Sequence, residues 1–171
     1  MHGRMNTMGI TRIVASGVPG AESAALDAAI RFRVPYGGFT NQGALLPGDR
    51  PAGRYRLEQR PYVDTLLVLK ANIAQSDGLL TFFRGGVPDP IDRLLSSGPK
   101  RPCLHIEAAS VETHEVPFRL DRFATDHAVA VLCVTGASLL EDRRIYPYVH
   151  DALTGFFLLT GAMPPSQPTL H

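Results

Sequence analysis

The sequence predicts an α/β protein, a three-layer α/β/α sandwich around a mainly parallel sheet of about five strands. Two observations carry this: short apolar runs of strand length alternate with segments of helix length, and the strand-like runs are predominantly apolar rather than strictly alternating, as in a sheet covered on both faces. A third sharpens it, because three of the runs end in turns that contain glycine.

The first run, "GITRIVA" (9–15), has the β-branched apolar character of a central parallel strand. It stops at Ser16-Gly17-Val18-Pro19-Gly20, after which Ala21, Ala24, Ala25, Ala28 and Ala29 with Leu26 and Ile30 predict a helix small enough to pack close to a sheet. Residues 34–59 are dense in Gly and Pro and read as a short strand followed by a long irregular loop. "PYVDTLLVLKANIAQ" (61–75) predicts a helix with Pro61 in its first turn, ended by Ser76-Asp77-Gly78. Asp77 is read as a helix stop at the pole opposite the glycine turns, and Asn72 as a pin for the long loop. "GLLTFF" (78–83), "PCLHIE" (102–107) and "AVAVLCV" (128–134) are further strands. A helix over 90–97, closed by Gly98 and Pro99, separates the first two; the segment 111–127, split at Pro117, separates the last two. A helix over 147–159, weakened by Gly155, closes the fold. The chain is expected to be a single Rossmann-like domain over 1–171, with flexible tails at 1–8 and 162–171.

Composition narrows the function classes. With 171 residues, 44% hydrophobic, the chain can bury one substantial core. The formal charge of +1 is spread without a basic stripe, so no nucleic-acid partner is expected. No apolar run reaches the roughly 20 residues of a bilayer span and the N-terminus has no apolar leader, so no membrane association and a cytoplasmic location are expected. Cys103 and Cys133 each fall within a predicted strand and read as buried, inert thiols. The six histidines have no ligand spacing, so no metal site is expected; His105 reads as a strand histidine with a local partner. No Gly-x-Ser-x-Gly elbow is present. The apolar "YPYVHDALTGFFLL" (146–159) exceeds what one helix contact covers, which predicts a homo-oligomer, a dimer by the prevalence of two-fold symmetry.

The glycine turns are Ser16 to Gly20, Arg84-Gly85-Gly86, and Thr135-Gly136-Ala137-Ser138. In a parallel sheet they share one edge and line a pocket with backbone N–H groups, a setting for a small anionic or nucleotide-like ligand. The N–H groups of Gly17, Gly20 and Ala21 are the expected anion seat. The alternative is that glycine simply ends the strands and permits tight turns.

"ASGVPGAESAALDAA" (15–29) resembles the molybdenum carrier family, in which a strand runs into Ser-Gly-Gly-Gln-Thr-Gly-x-Asp-Arg and then an Ala-Ala-Leu-Asp-Ala helix. Gly17, Gly20, Ala24, Ala25, Leu26, Asp27 and Ala28 are kept. "VPYGGF" (34–39) is similar to the family's Pro-x-Gly-Gly-Trp turn, "YRLEQ" (55–59) to its Tyr-x-Leu-x-Glu stretch, and "NIAQSDGLLTF" (72–82) matches at Asn72, Ser76, Asp77, Gly78 and Leu80. The resemblance implies a Rossmann-like fold related to lysine-decarboxylase-like and DprA-like nucleotide-binding proteins. It implies a non-catalytic carrier, with molybdenum cofactor or a nucleotide-like anion as cofactor and an anionic pterin- or nucleotide-like ligand at the C-terminal edge of the sheet. The site it implies comprises Ser16, Gly17, Val18, Gly20, Ala21, Gly38, Arg84, Gly85, Gly86, Thr135 and Gly136.

The departures are specific. Val18-Pro19 replaces Gln-Thr, Glu22-Ser23 replaces Asp-Arg, and Val87-Pro88-Asp89 stands where the family has Gly-Gly-Thr. Pro19 and Pro88 each lack an N–H donor, and Glu22 in the first helical turn would oppose a bound phosphate. Two alternatives stay open: a relative with a structural or oligomeric role, and a nucleotide-processing hydrolase, for which Asp89 and Asp92 are the nearby carboxylates.

Overall fold

Residues 9–41, 55–60 and 64–161 are described by the structure, a computed structural model. The expected tails, Pro61, and most of the long loop lie outside them. In chain order the elements are β1 (Arg12–Val14), α1 (Ala21–Arg31), β2 (Tyr36–Gly37), β3 (Phe39–Asn41), β4 (Glu58–Arg60), α2 (Thr65–Ala74), β5 (Gly78–Phe83), α3 (Asp89–Ser97), β6 (Cys103–Glu107), a 3-10 turn (Thr113–Glu115), α4 (Val116–His127), β7 (Val131–Gly136) and α5 (Ile145–Leu159).

Five strands form one sheet in the order β2-β1-β7-β5-β6. Every pairing in it is parallel, with Ile13 opposite Leu132 and Leu80 opposite Val134 and Leu104. The expected Rossmann-like sandwich is therefore present. Because side chains alternate across a strand, β7 sends Leu132 and Val134 into the larger core beneath α1, α4 and α5, and Cys133 to the other face, where Leu69 and Ile73 of α2 meet it. All six residues of β5 are buried. Each large apolar side chain so covered contributes about 1.5–3 kcal/mol relative to leaving it in water. No helix among the described residues is long and apolar enough to cross a membrane.

Local chemistry explains where the elements begin and end. α2 starts at Thr65 rather than in the Pro61 turn, because the Asp64 carboxylate accepts the Leu66 N–H at 2.9 Å. β7 starts at Val131, three residues later than the apolar run, because α4 continues to His127 and Ala128 caps it in the left-handed region at φ 54°. Pro117 sits in the first turn of α4, where its missing N–H has no helical partner to lose. Asp77, read as a helix stop, also acts as a staple: its carboxylate accepts the N–H groups of Ala130 and Val131 at 3.0 and 2.8 Å, fixing the entry of β7 beside β5.

Three expectations change. Cys133 is buried, but Cys103 opens the edge strand β6 and is exposed, since an edge position has a neighbour on one side alone. The C-terminal helix uses most of its apolar surface inside the chain: Ile145, Val149, Leu153, Phe156 and Phe157 are buried, with Phe157 against Phe32 of the α1 end at 5.7 Å, while Leu158 and Leu159 stay exposed. Gly155 is a packing device more than a weakness, because a Cβ there would lie 2.9 Å from Cγ of Pro117 on α4.

Gly155→Ala separates these two views of Gly155. In an open helix the change gains about 1 kcal/mol; against a proline ring it overpacks, at ~1–3 kcal/mol. Urea unfolding is expected to find the variant destabilised by about 1 kcal/mol, and a stabilised variant would refute the close contact.

Candidate functional site

The ends of β1, β5 and β7 lie at one edge, as parallel strands require, and the chain leaves β1 toward β2 while β5 leads away to β6. Ligand crevices of α/β sheets form at such a divergence. Two glycines let the backbones there approach one another. A Cβ on Gly20 would meet the Ala137 carbonyl at 2.5 Å, and one on Gly136 would meet the Phe82 carbonyl at 2.4 Å and Cβ of Ala21 at 2.6 Å. Their first role is contact between the first turn of α1 and the ends of β5 and β7.

The expected anion seat is largely engaged by the chain itself. The Gly20 N–H donates to Ser23 Oγ at 2.9 Å and the Ala21 N–H to the Ala137 carbonyl at 3.0 Å. Glu22 then turns back beneath the loop. Its Oε1 accepts the Ser16 N–H at 2.7 Å and the Ser16 hydroxyl, and its Oε2 accepts the Thr135 hydroxyl at 2.9 Å. Burial raises the proton affinity of this carboxyl, with the Ser16 and Thr135 hydrogen bonds pulling the other way. An internal carboxylate thus stands at the helix N-terminus, where the macrodipole favours negative charge.

The other two turns repeat the device. The N–H groups of Gly85 and Gly86 donate to Glu107 at 2.8 and 2.7 Å, and these bonds hold the Glu107 carboxyl below its ordinary value. The Ser138 N–H donates to Glu141 at 2.8 Å. Arg84 braces the edge, its Nε bonding Asp142 at 2.8 Å and another guanidinium nitrogen the Ala108 carbonyl at 3.0 Å.

A cavity of about 220 Å³ opens between the β1 and β7 turns, β3 and α2. Of the residues predicted for the site, Ser16, Gly17, Val18, Thr135 and Gly136 line it. Gly20 and Ala21 are buried in the helix contact, Gly38 packs on Ala15, and Gly85 serves Glu107. Arg84 and Gly86 border a separate cavity of about 240 Å³ with Glu141, Asp142 and Arg144. Glu141 lines both. Asp89 and Asp92 lie in the first turn of α3, where carboxylates suit the helix dipole.

Sequence reasoning missed Thr40, Asn41 and α2 as walls of the first cavity, and met Glu22 only as an obstacle to phosphate. β3 reaches the cavity because Asn72 accepts the Phe39 N–H at 2.7 Å and donates to the Phe39 carbonyl at 3.1 Å, and because β4 pairs alongside it. The pin was legible; the two-stranded sheet it holds was not, since three-residue strands carry no periodicity. Leu66, Val68, Leu69 and Ile91 give the cavity an apolar share of its lining. No Lys or Arg is among the described residues that line this cavity, and among the described residues no group of three or more His, Cys, Asp or Glu could hold a metal ion. His105 has its local partner in Thr81, at 2.9 Å.

Fold and edge together define a Rossmann-like α/β domain with a compact cavity where its parallel strands end. Residues 13–157 match the circularly permutated YpsA SLOG family, and the chain belongs to that family. The crystal structure of a "putative molybdenum carrier protein" from Syntrophus aciditrophicus SB is similar, at 31% identity and a TM-score of 0.79, covering 86% of this chain and 95% of that one. The family resemblance read from residues 15–29 and 72–82 is thus borne out. No curated protein matches the sequence.

The Glu22 geometry has a pH signature. A folded pKa raised above 4.5 means that the native state holds more protons than the unfolded chain as pH climbs from there, so the contribution of Glu22 to stability is lost as pH rises through the raised value. Glu22→Gln keeps the shape without the titration. Its stability relative to the parent should therefore increase as pH rises above 4.5 in urea unfolding; parallel profiles would contradict the buried carboxyl.

Proposed function

We propose that this chain is a non-catalytic, small-molecule binding protein of the molybdenum carrier type, holding a pterin- or nucleotide-like ring in the cavity between β1, β7, β3 and α2. The observation that carries the reading is the mixed lining of the cavity, in which the polar Ser16, Thr40, Asn41 and Thr135 are joined by the apolar Leu66, Val68, Leu69 and Ile91. A heterocycle with apolar ring faces and polar edge atoms is matched by such a lining. The volume, about 220 Å³, is below the ~300–1,000 Å³ typical of pockets for drug-sized ligands, which favours a ring system over an extended dinucleotide. The family and the name of its structurally similar relative support a carrier role.

Native mass spectrometry of the chain purified from its own host, before and after denaturation, tests this. A small mass lost on denaturing is expected. Thr65→Trp places a bulky ring at the exposed rim residue of the cavity without touching the core, and should lower the occupied fraction at least several-fold. Equal native and denatured masses per subunit in the parent, or occupancy unchanged in the variant, would sink the reading.

A further inference from the structure

The cavity has an unusual balance of donors and acceptors. Two of its hydroxyls, Ser16 and Thr135, point their protons at Glu22. Glu22 in turn accepts three hydrogen bonds, one short of the roughly four positions a carboxylate offers. Glu141 lines the same cavity and has one oxygen on the Ser138 N–H, leaving its other oxygen for a further donor. The cavity therefore presents acceptor positions on two carboxyl groups, with no cationic side chain among the described residues that line it. Independently of the carboxylates, Thr40 is only 7% exposed and lines the same cavity, where a hydroxyl can donate to or accept from a ligand atom.

We infer that Glu22 is a specificity-determining residue: it makes the cavity select compact nitrogen heterocycles that present N–H or amino hydrogen-bond donors, and reject phosphate-like anions. This rests on the reading of the cavity as a small-molecule site. A phosphate brought to the β1 turn would find the Ser16 N–H and the Ser16 and Thr135 hydroxyl protons already taken by the Glu22 carboxyl, leaving it without the donors it needs. An amino or ring N–H group meets instead an oriented acceptor oxygen. The apolar wall of α2 then covers the ring face.

Titration calorimetry of the full chain tests the assignment with adenine, cytosine and pterin as donor-bearing probes and inorganic phosphate and molybdate as anions. The parent is expected to bind at least one heterocycle and neither anion. Glu22→Gln replaces an acceptor by an NH₂ donor of the same shape, so heterocycle affinity should fall by about tenfold or more and anion binding should appear. Glu141→Gln should weaken the heterocycle by a smaller factor, and it keeps the test intact if the Glu22 variant fails to fold. Phosphate or molybdate binding to the parent as tightly as any heterocycle would overturn the inference while leaving a small-molecule site in place. Heterocycle affinity unchanged in both variants would do the same. No binding by any probe would overturn both readings together.

Discussion

One carboxylate ties together the edge of the sheet on which this protein's chemistry is arranged. Glu22 belongs to the first turn of α1, yet its oxygens reach the end of β1 through Ser16 and the end of β7 through Thr135. Taking it out of water is costly, and its three hydrogen bonds recover only part of that cost, so burial still raises the proton affinity of the group. The consequences run outward. The Ser16 and Thr135 hydroxyls are oriented toward Glu22, and the cavity beside them carries acceptor character.

The same economy of side chain onto backbone appears all around the fold. Glu107 gathers the Gly85 and Gly86 N–H groups, Glu141 takes that of Ser138, and Asp142 takes that of Arg144. At the other pole Asp77 holds the start of β7, while Arg101 bonds the carbonyls of Ser76 and Ala74 that end α2. Turns that could have served as phosphate cradles are closed by the chain's own acids, and their geometry is thereby fixed without a bound ligand. In Rossmann-like proteins glycine-rich turns and helix N-termini invite anions; here the invitation is accepted internally.

Much of the fold was legible because the central strands β5 and β7 are buried along most of their length and so read as apolar runs, while helices and turns between them are punctuated by Gly, Pro and Asp. The alternation placed β1, β5, β6 and β7 in one parallel sheet, and the parallel arrangement placed three glycine turns on one edge. Boundaries were less legible. Ala128 in a left-handed cap and Asp64 as an N-cap both moved an element end by a few residues, since capping depends on which backbone groups a side chain can reach. Cys103 looked like a core residue because its run is apolar; whether that run sits at the centre or the edge of a sheet is set by strand order, which local pattern does not contain.

The site divides in the same way. Sequence alone determined the class of fold, the family, the sheet edge at which the cavity opens, and the presence there of Ser16, Gly17, Val18, Thr135 and Gly136, because these follow from strand direction and from motifs read within a few residues. Only the tertiary structure decided what those groups face. Gly20 and Gly136 proved to be points of backbone contact, Thr40 and Asn41 joined the cavity through a two-stranded sheet pinned by Asn72, and Glu22 became one of its lining acids rather than a stray charge. Glu22 and Thr135 stand 113 positions apart in the chain, and a hydrogen bond between them exists only once β1 and β7 lie side by side.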